Sequence, residues 1–162
     1  MVRSWALQSQ SSSLYHKAIV DGAISKGVVV DFLPFDAFIA GLRIYCMQAP
    51  NSTEDVCLLL DVWNRELLDD IIRVLLVPTI SRRPGLVLIS SVLTWAGKRY
   101  NNPITDFASE FVARRPAACA HNAWLSENSF WNMVCRTKSN AVIISLGAAY
   151  GLSGYHCADI FR

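Results

Sequence analysis

Six prolines, at positions 34, 50, 78, 84, 103 and 116, cut this chain into short segments and do most to limit its fold. A proline lacks the N–H of the helical ladder and clashes with the preceding turn. It therefore ends a helix or opens one, and does not sit inside it. Pro34 is placed to open a helix through Phe38, Leu42 and Tyr45 to about Met47, and Ala49-Pro50-Asn51 then breaks it. Ser52 or Thr53 can cap the next segment, with Glu54 and Asp55 at its positive end. There Val56, Leu59, Leu60, Trp63, Leu67, Ile71, Val74 and Leu75 form one apolar stripe at helical spacing. That stripe predicts one long helix, or two short ones with a bend, ended by Pro78.

Arg82-Arg83-Pro84-Gly85 then opens a segment from Leu86 to about Tyr100, apolar almost all round. Such a segment is expected to be a buried central helix. Asn102-Pro103 is a good cap and first position for a helix through Phe107, Phe111 and Val112. Further helices are expected over Trp124–Trp131 and Ala141–Leu152, and one over Leu14–Gly27 with Gly27 as its stop. Val28-Val29-Val30 looks like a strand, but no second strand-like run lies near to pair with it. The expectation is an all-α bundle of seven to eight helices around one hydrophobic helix. Residues 1–162 would form a single domain, with 1–12 a flexible arm.

Composition narrows the function classes. A net charge of +2 is too small to argue for nucleic acid or an acidic membrane. Five scattered cysteines and no signal-peptide pattern suggest free thiols in a reducing, cytoplasmic setting. No apolar run reaches the roughly 18 residues of a membrane span, and no C-terminal anchor is expected. Hydrophobic residues make up 52% and charged residues 17%. That balance implies a very apolar core or an exposed apolar patch that a partner or a second copy covers.

The segment Trp124-Leu125-Ser126-Glu127-Asn128-Ser129-Phe130-Trp131 resembles the second homology motif of the Bcl-2 family of apoptosis regulators, with Ser129 and Phe130 at its two glycine positions. Arg83-Pro84-Gly85-Leu86 lies where that family's first motif opens the central helix. Only the glycine of that motif is kept, and Leu86 stands where the family has arginine. Leu33, Ala37, Arg43 and Ile44 can be laid on the third motif, with Phe38 at its acidic position. The resemblance implies a Bcl-2-like fold and, given the compact N-terminal half, a virus-encoded pro-survival member, from a large DNA virus such as an iridovirus.

Its implied function is to inhibit apoptosis by sequestering the amphipathic helix of a pro-apoptotic protein in an apolar groove. The partner would be Bim-type, with Bak or Bax as alternatives. Peripheral association with mitochondria would fit such a role. Ile89 and Leu93 would form the groove floor, Gly85 would let the ligand backbone approach, and Arg83 would meet its aspartate in place of Leu86. Phe38, Leu42, Leu60 and Leu76 would form the walls, with Trp124 and Trp131 carrying the second motif. Narrow ligand selectivity is expected from the missing motif arginine unless Arg83 replaces it. Two other functions remain open: a pro-apoptotic, pore-forming relative, and an unrelated all-helical binder of a small ligand.

No enzyme, cofactor or metal is expected. Cys119-Ala120-His121 and His156-Cys157 lack metal-ligand spacing, and no phosphate loop or dinucleotide fingerprint is present.

Overall fold

The computed structural model describes residues 2–7, 21–49, 55–94 and 116–146. Its frame is a five-stranded, all-parallel sheet: β1 (Val2–Leu7), β2 (Val29–Leu33), β3 (Asp55–Asp61), β4 (Gly85–Ser91) and β5 (Ala141–Leu146), in the spatial order β2-β1-β3-β4-β5. Three helices have described bounds: α1 (Phe35–Met47), α2 (Arg65–Leu75) and α3 (His121–Thr137). The fold is therefore α/β, and the expected all-α bundle of seven to eight helices is corrected.

The sheet explains where the helical reading failed. In a parallel sheet covered on both faces, strands read as continuous apolar runs and lose the alternation that marks a half-exposed strand. In β3, Val56, Leu58 and Leu60 face the helices, and Leu59 faces the opposite way. Val56, Leu59 and Leu60 thus imitate helical spacing while lying on two faces of a strand. The Val56–Leu75 stripe divides into β3 and α2 at Val62-Trp63-Asn64. The expected central helix is strand β4, followed by a 3-10 turn at Val92–Thr94. Ala141–Leu146, expected to start the last helix, is edge strand β5. Val29 and Val30 do find partners, because β2 runs beside β1 with Arg3 opposite Val29 and Leu7 opposite Leu33. Val2–Leu7, expected within a flexible arm, is thus a strand that also pairs with β3, from Val2 opposite Asp55 to Trp5 opposite Leu58. The helix expected over residues 102–112 lies outside the described residues.

Two local expectations match the structure. Pro34 precedes α1, and Gly27 ends the helical residues 21–25 in a left-handed conformation at φ 77°. The Trp124–Trp131 segment is helical as expected, but within the longer α3.

On one face of the sheet, Leu7, Leu58, Leu60, Leu86 and Leu88 pack against Phe38 and Leu42 of α1, Leu67, Leu68, Ile71 and Leu75 of α2, and Phe130 and Met133 of α3. Burying each such side chain contributes about 1.5–3 kcal/mol. Trp5 fits edge-on against Phe38 and Tyr45, with ring centres 6.3 and 6.1 Å apart. Ala6, Leu59 and Ile89 are buried on the opposite face. Among the described residues, no helix is long and apolar enough to cross a membrane.

Candidate functional site

In an open parallel sheet, ligands seat beyond the carboxyl ends of the strands, where the strand order reverses. Here β1 is followed in sequence by β2 on one side and has β3 on the other, so the reversal lies between β1 and β3. At that edge β3 ends in the turn Asp61-Val62-Trp63-Asn64. The Asp61 carboxylate accepts from Trp63 N at 2.9 Å, and Val62 N donates to the Ile89 carbonyl of β4 at 2.9 Å. These bonds fix a turn whose indole is 53% exposed. Asn64 then caps α2, its Oδ1 accepting from Leu67 N at 3.2 Å.

The neighbouring strand brings buried polar groups to the same edge. Ser90, next to last in β4, points toward the helices and donates from Oγ to Glu127 Oε2 of α3 at 2.7 Å, both side chains being buried. Beyond it, Thr94 Oγ1 donates to the Ser91 carbonyl at 2.8 Å, and Ala117 N donates to the Leu93 carbonyl at 2.8 Å. The last bond draws the entry to α3 against the end of β4. Within α3, Trp124 Nε1 and Ser126 Oγ are buried with no hydrogen-bond partner among the described residues. Among the described residues the core elsewhere is almost wholly apolar: of their five buried polar side chains, only Ser139 lies outside this cluster. A buried polar group left without a partner costs about 1–3 kcal/mol, which makes Trp124 Nε1 and Ser126 Oγ notable on α3.

The helix termini supply an electrostatic reason. α1, α2 and α3 each run against the strands and start at this edge. α2 is capped by Asn64, but neither α1 nor α3 has a side-chain cap. The first turn of α3 also carries no acidic residue. The 3-10 turn Ala118–Ala120 runs directly into α3, and His121 N already donates to the Ala118 carbonyl, so it is the helix dipole, about half a positive charge, that favours an anion there. His121, the first residue of α3, lies over Trp124 with ring centres 5.6 Å apart. Ser90 and Glu127 are too buried to meet a substrate and serve as a pin between β4 and α3. No group of three or more potential metal ligands occurs among the described residues.

The residues expected to line a helix-binding groove do not share one surface. Phe38, Leu42, Leu60 and Leu86 are core side chains under the helices, and Ile89 is buried on the opposite face. Arg83 and Gly85 stand at the amino end of β4, and Leu93 lies beyond its carboxyl end. β4 alone spans roughly 20 Å at about 3.3 Å per residue. Leu76 is the partly exposed C-cap of α2. A Cβ on Gly85 would meet Cys57 Sγ at 3.6 Å, an ordinary contact, so no close approach requires glycine there. Trp124 and Trp131 are half-buried on α3.

Sequence reasoning missed Asp61, Trp63, Ser90, Ser126 and Glu127. One signal was available: Ala123, Glu127, Phe130 and Val134 recur at helical spacing, so a carboxyl falls on the buried stripe. No protein-family model, curated protein or solved structure matches the chain.

Proposed function

We propose that the protein binds a nucleotide-class small molecule, a planar ring joined to an anionic group, at the carboxyl edge of its sheet. The observation that carries this reading is the pairing of an exposed indole at the strand-order reversal with an uncapped, acid-free helix N-terminus on the neighbouring element. α2 and α3 pack on one another, and helices in contact lie roughly 8–10 Å apart. A ligand reaching both first turns has about that span. Trp63 would stack on the ring, a contact worth about 1–3 kcal/mol, and the first turn of α3 would take the anion. Sequestration of a pro-apoptotic helix stays an expectation of the family resemblance; the bundle that would present its groove is replaced by a sheet.

Thermal unfolding with adenosine triphosphate, NAD and flavin mononucleotide tests the proposal. A ligand at a hundred times its Kd stabilises by about 2.7 kcal/mol, or roughly 5–11 °C for a chain of this size. His121→Glu places a carboxylate in the first turn of α3. It should leave the free protein as stable or slightly more so, by about 0.3–1 kcal/mol, while abolishing the ligand-induced shift. Trp63→Ala should weaken binding about tenfold or more. No shift with any of these ligands, or a shift that survives His121→Glu, would refute the reading. Submicromolar binding of pro-apoptotic helix peptides would return the helix-binding function in its place.

A further inference from the structure

The opposite edge of the sheet carries a second, separate feature. α1 and α2 both finish there, and between their last turns and the connection to β4 lies a pocket of about 370 Å³. Its walls are largely apolar, formed by Met47 and Cys46 of α1, Val74 of α2, and Val77 and Ile80 of the connection. Met47 is 80% exposed and Val77 44% exposed, so apolar surface faces water here. The connection is held in place: Ser81 N and Arg82 N both donate to the Cys46 carbonyl, at 3.0 and 3.3 Å. Arg82 also lies over the Tyr45 ring, 4.6 Å from its centre, and bonds Asp55 at 3.0 Å. The pocket is thus bounded by anchored backbone on each side.

Two guanidiniums border the apolar walls, from Arg43 and Arg73. Arg73 pairs with Asp70 at 3.1 Å on an exposed face, and Arg43 has no carboxylate partner among the described residues. Arg83 is close enough to act electrostatically on the Cys46 thiol. The two helix C-termini bring about half a negative charge each, and Asp70 one more. The three guanidiniums outweigh them, so the local balance is positive.

We propose that this pocket binds an amphipathic anion, a carboxylate on an aliphatic tail. The tail would lie along Met47, Val74, Val77 and Ile80, and the carboxylate between Arg43 and Arg73. The volume is that of roughly a dozen water molecules, which suits a tail of medium length. The pocket falls within the size range of small-molecule sites, which pair apolar walls with a few polar groups that fix orientation. This site is independent of the carboxyl edge and stands or falls by itself.

The test uses the full chain with carbon-13 methyl labels on methionine, titrated with decanoate. The Met47 methyl signal should move and saturate, while that of Met133, buried in the core, stays in place. Decanol and decylammonium should bind at least about tenfold more weakly than decanoate. Arg43→Gln combined with Arg73→Gln should weaken decanoate by a similar factor. Both side chains are exposed and the Arg73–Asp70 pair contributes little to folding, so the variant should fold. Val77→Asp, also at an exposed position, should abolish binding. A Met47 shift that never saturates, equal affinity for the three probes, or binding unchanged in the double arginine variant would overturn the proposal.

Discussion

Ser90→Ala tests the pin between β4 and α3 directly. The serine hydroxyl donates to Glu127 Oε2 at 2.7 Å, and the two residues are 3% and 0% exposed, so water cannot readily replace the lost donor. Leaving one partner of a buried hydrogen bond unsatisfied costs about 1–3 kcal/mol, and burial on both sides puts this bond within that range. The variant should therefore lose about 2 kcal/mol. For a chain of this size that corresponds to roughly 4–8 °C in Tm. Urea unfolding followed by circular dichroism would measure it, with an unchanged m-value showing that the folded state keeps its compactness. Ser91→Ala is the control. It is next along the strand, and its Oγ accepts from Leu93 N at 3.2 Å in an exposed setting, so its cost should be about 0.5 kcal/mol or less. A Ser90→Ala variant within about 0.5 kcal/mol of the parent protein would show that the bond is not made in solution.

Two further outcomes follow from local geometry. Asn64→Ala removes the cap on α2 and should cost about 1 kcal/mol, read as a lower urea midpoint; a parent-like midpoint would remove the cap from the account of why α2 begins there. Burial pushes the Cys46 and Cys57 thiols up, and in Cys46 this outweighs the opposing pull of Arg83. Both should therefore react with iodoacetamide much more slowly than the exposed Cys119 and Cys135, as peptide mass spectrometry would show. Because the folded chain holds those two protons longer than the unfolded chain, the stability they contribute is present below the thiol range. It is lost as pH rises through that range, and a denaturation series that strengthened there would contradict the assignment.

The parts legible in the sequence are those that local chemistry decides. Pro34 fixes the entry to α1, and Gly27 supplies a left-handed stop. The stripe of α2 is legible because Leu67, Leu68, Ile71 and Leu75 face the core, while Arg65 and Asp69 pair on the outside at 3.6 Å. The strands were illegible for the opposite reason. Leu58 and Leu59 are both buried, on different faces of one sheet, and a run buried on both faces has no period to read. The pairing of Val29 with Arg3 bridges residues far apart in sequence, and no local pattern announces it. The site is split in the same way. Trp63 could be seen as an aromatic beside a helix cap, but the contact between Ser90 and Glu127 exists only once β4 and α3 are packed together.

The position of β1 has a consequence for how the chain folds during synthesis. The strand that joins β2 to β3 is made first, yet both of its partners are made later. At translation rates of about 5–20 residues per second, its open backbone edges wait several seconds for β3. Nor can the sheet nucleate around β3 and β4 and then grow outward to β2 unless β1 has been kept extended and available. Parallel pairings of this sequence separation form slowly and leave strand edges exposed to other chains. A fusion partner placed directly before Val2 therefore acts on the slow step of assembly, whereas the same partner after β5 meets a sheet whose five described strands have been made.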